Sequence, residues 1–172
     1  MKARNENLSI DTNVEGEDDF NLDEFLPYRL AVAASTVSRL MGRRLAETAK
    51  LSISEWRVLS VVARAGVLSP SAIGALAAMD KVKVSRAAAS LVARGLIKQT
   101  QDPNDGRGRL LRLTRKAAGI QRNLVALART TEGQLETGLN RTEWAALKNT
   151  LSRLEEHARG LGAPDSRAEA AD

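Results

Sequence analysis

The sequence predicts a mainly α fold with a small β-hairpin, and three observations lead there. Apolar residues recur at intervals of three and four along most of the chain, the spacing of one helix face after another. Two short β-prone runs, at residues 96–101 and 109–114, flank a connection made almost wholly of turn residues, Asp-Pro-Asn-Asp-Gly-Arg-Gly. No strand–helix alternation, glycine-rich phosphate loop or internal repeat breaks that order.

The elements follow in turn. Between residues 23 and 50, Phe25, Leu26, Leu30, Val32, Val37, Leu40, Met41 and Leu45 recur at mostly helical spacing around an early Pro27, which predicts a long first helix. Ser52 and Glu55 form a capping box, in which hydroxyl and carboxylate each satisfy an orphan backbone N–H. Trp56, Leu59, Val62 and Ala63 then mark one face of a second helix to about Arg64. Ser69-Pro70 opens a short third helix with Ile73, Leu76 and Ala77 as its buried stripe, and Gly74 lets a neighbouring backbone come close. A turn near residues 79–81 leads to a fourth helix, with Val84, Ala88, Leu91 and Val92 inward and Lys83, Ser85, Arg86, Ala89 and Ser90 outward. Gly95 ends it as a left-handed cap.

Beyond the hairpin, Thr114 caps a fifth helix whose Ile120, Leu124, Leu127, Leu135 and Leu139 hold one broad face. Asn140 and Glu143 cap a sixth, where Trp144, Leu147, Leu151, Leu154, Ala158 and Leu161 step by alternate threes and fours in a narrow, coiled-coil-like seam. That seam and the apolar first helix exceed what one small lobe covers, so a homodimer is expected.

At 172 residues and 43% hydrophobic content, the chain is of one-domain length and long enough to bury a core. Cysteine is absent, which excludes disulfides, thiolate metal sites and a thiol redox switch. The amino end is polar and acidic, and no run of about 18 apolar residues occurs, so a cytoplasmic protein without a membrane partner is expected. Residues 1–24 hold eight acids against two bases, whereas residues 81–115 hold nine bases against two acids. The first segment reads as a disordered acidic arm, 1–22. A folded domain, 23–161, follows, with dimerisation helices at about 23–50 and 115–161 around a lobe at about 52–114. A mobile tail, 162–172, ends the chain.

An enzyme needs a constellation of reactive groups. The single histidine, His157, reads as a surface or capping residue near the end of the last helix. The paired acids Asp18-Asp19 and Glu155-Glu156 fall in the acidic arm and on the outer side of the seam. No catalytic residue, metal site or cofactor is expected. The basic segment points elsewhere. A helix whose exposed face carries Ser85, Arg86, Ser90 and small residues enters a major groove without bulk to hold it off. The hairpin beside it carries Arg107 or Arg109 toward a minor groove, and Lys81, Lys83 and Lys98 suit phosphates as flexible point charges. The expected fold is therefore a winged helix-turn-helix lobe on a helical dimerisation region, and the expected partner a double-stranded DNA operator.

The run Val82-Lys83-Val84-Ser85-Arg86-Ala87-Ala88-Ala89-Ser90-Leu91-Val92-Ala93-Arg94-Gly95-Leu96-Ile97 resembles the recognition helix and first wing strand of MarR (multiple-antibiotic-resistance regulator) proteins. Asp102-Pro103-Asn104-Asp105-Gly106-Arg107, continuing to Leu111-Arg112-Leu113-Thr114, is similar to their wing signature, Asp-x-Arg followed by Leu-x-Leu-Thr. The resemblance implies a ligand-responsive repressor. It makes Asp105 a brace of the wing, Arg107 its minor-groove contact, and Ser85 and Arg86 residues of the recognition helix. Gly106 stands where many relatives carry a second arginine, and Ala117 where a glycine often follows the Leu-Thr pair. The resemblance also implies an effector, a small aromatic acid or its coenzyme A thioester, with Tyr28, Arg29, Ser35, Arg39 and Trp56 as candidate contacts. Trp56 and Trp144 have a second reading as core residues. The competing function is a winged-helix module that binds protein without specific DNA binding, which the basic wing disfavours.

Overall fold

The computed structural model describes residues 20–103 and 108–161. Six helices and a two-stranded antiparallel hairpin run in the order α1 (Leu26–Ala49), α2 (Ile53–Ala65), α3 (Pro70–Ala77), α4 (Lys81–Ala93), β1 (Ile97–Gln101), β2 (Arg109–Leu113), α5 (Arg115–Glu136) and α6 (Arg141–Leu161). The expected mainly α fold with one hairpin is what forms. By its contacts the chain falls into two units that divide within α1, after Val37.

In the first unit, the N–H groups of Glu24 and Phe25 donate to the Asn21 carbonyl, at 3.1 and 3.2 Å, and the resulting turn leads into α1. Phe20 and Phe25 meet edge to face with ring centroids 5.2 Å apart. Leu26, Tyr28, Val32 and Val37 are exposed.

The second unit holds the core. Met41, Leu45, Leu51, Val58, Leu59, Val62, Ile73, Val84, Leu91, Leu96, Ile97, Leu111 and Leu124 form one buried cluster, fed by every element from α1 to α5. Each fully buried leucine or isoleucine contributes about 1.5–3 kcal/mol relative to exposure. Helix ends are set by the expected caps. Ser52 Oγ accepts from Glu55 N–H while Glu55 Oε2 accepts from Ser52 N–H, at 3.2 and 2.7 Å. Ser69 Oγ accepts from Ala72 N–H, Thr114 Oγ1 from Ala117 N–H, and Asn140 pairs reciprocally with Glu143. Gly95 takes φ +66°, the left-handed cap conformation that a Cβ disfavours.

Three faces differ from the periodicity reading. On α2 the buried face is Glu55, Val58, Leu59, Val61 and Val62, while Ala63 is exposed and Trp56 is half-buried against the core. Glu55 turns inward because α4 supplies its partners, and the face turns with it. On α4 Ala87 is buried and Val92 is 37% exposed. The buried stripe 84–87–88–91 carries the small Ala87 and Ala88 at its middle. Leu76 is 50% exposed, leaving Ile73 as the one buried residue of α3. Leu139 lies in the turn after α5 and not on its face.

The α3–α4 crossing depends on Gly74. A Cβ there would stand 3.0 Å from the Met79 carbonyl oxygen, so only glycine fits without a shift. The α2–α3 connection also joins the sheet: Leu68 and Leu111 exchange backbone hydrogen bonds at 3.1 and 2.8 Å, which anchors β2 beneath the lobe. The hairpin register pairs Ile97 with Leu113, Lys98 with Arg112, Gln99 with Leu111 and Gln101 with Arg109. Between α1 and α5, Arg44 donates to the buried Thr131 hydroxyl at 2.8 Å.

Candidate nucleic-acid interface

The α4 helix has two chemically distinct sides. Val84, Ala87, Ala88 and Leu91 are fixed in the core, and Lys81, Val82, Lys83, Ser85, Arg86 and Ala89 are exposed. Its first turn is held by Asp80, whose carboxylate accepts from Lys83 N–H at 2.8 Å and pairs with Lys83 Nζ at 3.0 Å. Those two bonds from Lys83, backbone first, hold the Asp80 carboxyl below its ordinary value. The sequence reading passed over Asp80. The signal was an aspartate at the N-cap, three residues before a lysine.

Beside this face lies a hollow of about 330 Å³, lined by Ser52, Ser54, Glu55, Lys83, Arg86, Ala87 and Ser90. It brings three of the expected DNA-site residues, Lys83, Arg86 and Ser90, against the first turn of α2. Hydroxyls, cations and a helix N-terminus together suit a phosphate oxygen. Ser52 and Ser54 were not singled out for this in the sequence, because their nearness to α4 is a tertiary fact.

Ser90 is partly committed elsewhere. Its hydroxyl donates to Glu55 Oε1 at 2.6 Å, and Arg94 Nη1 reaches the same oxygen at 3.5 Å. Burial pushes the Glu55 carboxyl upward. The Ser52 N–H, the hydroxyls of Ser90 and Ser52, and the charge of Arg94 outweigh that and hold it below the ordinary glutamate value. Glu55 is thus a buried carboxylate, 8% exposed, that ties α2 to α4. Arg94, one of the nine bases of the charged segment, also donates to the carbonyls of Lys50 and Ala49, at 2.9 and 3.3 Å. It serves the lobe's interior as much as its surface charge.

The hairpin separates residues that the sequence had grouped. Strand alternation places Lys98 and Arg112 on one face, and Arg109 with Gln101 on the other. Lys98 and Arg112 are directly opposed and both exposed, a like-charge pair that is destabilising unless an anion lies against it. Arg112 therefore joins the candidate site, a residue that only the register reveals. Asp105 and Arg107 lie outside the described residues.

The effector candidates are divided as well. Tyr28 and Arg29 line a surface hollow with Asp23, Val32 and Ala33 in the first unit, and Ser35 is exposed in the same unit. Arg39 and Trp56 belong to the second, where Trp56 packs against the core as its second reading held. Trp144 is half-exposed on α6, with Lys148 Nζ 5.5 Å from its ring centroid.

Comparison with known proteins bears on the same elements. Residues 49–108 match the MarR family model, a span that runs from the last residue of α1 to the residue before β2. A probable transcriptional regulator from Pseudomonas aeruginosa is 27% identical, covering 78% of this chain and 99% of its own, with a TM-score of 0.68. A cysteine-to-serine mutant of MarR from E. coli, solved in complex with operator DNA, is 24% identical over 80% of this chain and 99% of its own, with a TM-score of 0.70. BpsR from Bordetella bronchiseptica, whose DNA binding is regulated by 6-hydroxynicotinic acid, is 22% identical over 80% of this chain and 98% of its own, with a TM-score of 0.72. Among curated proteins none matches the chain. The MarR family consists of transcription regulators and not enzymes. No described helix is long and apolar enough to cross a membrane.

Proposed function

We propose, from the match of residues 49–108 to the MarR family model and the likeness to a probable transcriptional regulator from Pseudomonas aeruginosa, that this protein is a repressor. It holds a palindromic operator as a cytoplasmic homodimer and releases it on binding a small-molecule effector. The observation that carries the reading is the two-sided α4, locked in the core by Val84, Ala87, Ala88 and Leu91 while presenting Lys81, Lys83, Ser85 and Arg86 outward. Ser85 and Arg86 read base edges in a major groove, and Lys81, Lys83 and the Ser52–Ser54 turn meet phosphates. Lys98 and Arg112 meet a further phosphate on one face of the wing. Arg109 and, by the resemblance, Arg107 serve a minor groove, with Asp105 bracing the tip.

The operator-bound MarR and the 6-hydroxynicotinic acid-regulated BpsR support operator binding and release by a small aromatic acid. A coenzyme A thioester is the larger alternative within that class. Both lobes of a dimer hang from one helical base, so a small rotation there changes the separation of the two α4 helices. By linkage, an effector that weakens DNA binding binds less tightly to the DNA complex.

Titration of duplex DNA at several salt concentrations tests the reading. Arg86→Ala should lose about 1–3 kcal/mol on the preferred duplex and relax its preference, and Arg107→Ala should weaken every duplex by a similar amount. Lys98→Ala should cost less and flatten the dependence of log K on log salt by about one unit. Salt-insensitive binding of the parent, or full-strength binding by Arg86→Ala and Arg107→Ala, would favour the protein-interaction alternative.

A further inference from the structure

Helical geometry fixes which side chains of α4 stand farthest from the core. Successive residues turn about 100° around the axis, so the buried Val84, Ala87, Ala88 and Leu91 centre on one line of the helix. Val82, Arg86 and Ala89 lie along the line roughly opposite, and all three are exposed. Lys81 and Lys83 stand about 100° to either side of Val82, and both are exposed too. The outward ridge of α4 therefore begins with a valine between two lysines. Val82 is 58% exposed, more than any other large hydrophobic residue described from α2 to β2. An exposed valine is ordinary in itself. Its place at the centre of a polar, cationic face is what calls for a physical account.

We propose that Val82 is a specificity-determining residue, and that its side chain packs on the C5-methyl group of a thymine in the major groove. The inference rests on the reading of α4 as the helix that enters that groove, and it adds a base identity which the reading leaves open. An apolar tip has one good match there. The edges of the base pairs present donors and acceptors along the major groove, and the thymine methyl is the apolar group among them. Valine against that methyl removes two apolar surfaces from water. Valine against the amine of a cytosine or the O6 of a guanine leaves a desolvated polar group without a hydrogen-bond partner. The contact thus favours a T·A pair and disfavours a G·C pair at one position.

The rest of the ridge fits the same placement. Branching at Cβ holds the valine methyls in one strongly preferred rotamer on a helix, so the tip enters the groove already oriented. Arg86 follows one turn later, about 6 Å along the axis, while bases on one strand are spaced about 3.4 Å apart. The thymine should therefore lie within about two base pairs of the base that Arg86 reads. Ala89, a further turn along, is too small to hold the helix off. Lys81 and Lys83 stand toward the two walls of the groove, where the phosphates lie.

Thymine and uracil differ by that methyl alone, which makes deoxyuridine the probe. The duplex that the full chain enriches from a randomised pool is remade with its thymines replaced one at a time by deoxyuridine, and binding is measured by fluorescence anisotropy at fixed salt. For the parent, one replacement in a half-site should weaken binding about fourfold, the worth of one buried methyl. Val82→Ala should bind the thymine duplex at least about fourfold more weakly than the parent, and should respond less than about twofold to that same replacement. Arg86→Ala should keep the parent's response. Because Val82 is exposed, Val82→Ala should unfold thermally like the parent, which separates a lost contact from a lost fold. Sequence-specific binding by a parent that responds to no replacement overturns the proposal and leaves the regulator reading standing, as does a Val82→Ala chain that keeps the parent's response. Enrichment of no sequence removes the regulator reading, and the proposal with it.

Discussion

Glu55 shows how one residue does local and tertiary work together. Through Ser52 it closes the capping box of α2, and through Ser90 and Arg94 it fastens α2 to α4. Because its carboxyl is held below the ordinary value, the folded state releases the proton more readily than the unfolded chain. Its stabilising contribution is therefore complete above the ordinary glutamate range and is lost as pH falls through the lowered value. Glu55→Gln should cost roughly 1–3 kcal/mol at neutral pH, since buried donors lose a charged acceptor. It should also reduce the loss of stability that sets in as pH falls from the ordinary glutamate range through the lowered value. Chemical denaturation at a series of pH values checks both, and an unchanged acid slope would remove Glu55 from this role. The capping half of the arrangement was legible in the sequence from Ser52 and Glu55 alone. The Ser90 and Arg94 half was not, because those residues stand 35 and 39 positions away. That is also why Ser90 read as a free groove-facing hydroxyl and Arg94 as surface charge.

At the scale of elements, the chain's local signals set where each helix begins, and packing sets how it is turned. Ser69-Pro70, Thr114, Asn140 with Glu143, and Gly95 all act where the residue types alone placed them. The faces of α2, α3 and α4 were less legible. Helical periodicity fixes a stripe only to within a residue or so, and the final angle depended on the inward Glu55, the small Ala87 and the bridge between Leu68 and Leu111. The hairpin register, and with it the opposition of Lys98 and Arg112, lay beyond the pattern as well. Two glycines make this distinction measurable. Gly119 has nothing within 4 Å of an added Cβ, so Gly119→Ala should stabilise α5 by about 0.5–1 kcal/mol. In Gly74→Ala the same helical gain is opposed by the Met79 carbonyl at 3.0 Å, and the net change should be a loss of about 1 kcal/mol or more. Thermal unfolding of the two variants should shift in opposite directions; a stabilised Gly74→Ala would show that the α3–α4 crossing is looser than its geometry indicates.

At the scale of the whole molecule, α6 is the element that a single chain leaves unsatisfied. It has no buried residue, and Leu147, Leu151 and Leu161 on its seam are exposed. A second copy is the partner we propose for that seam, in keeping with its alternating steps of three and four. Leu151→Glu should shift light scattering toward a monomer at micromolar concentration and weaken DNA binding with it, while the lobe from α2 to β2 keeps its fold. The central claim is that two copies read a two-fold symmetric duplex through α4, and selection from a randomised duplex pool by the purified full chain tests it most directly. The account predicts an enriched inverted repeat, its half-sites about one or two helical turns apart, centre to centre. Enrichment of no sequence, or of a single asymmetric site, would contradict it.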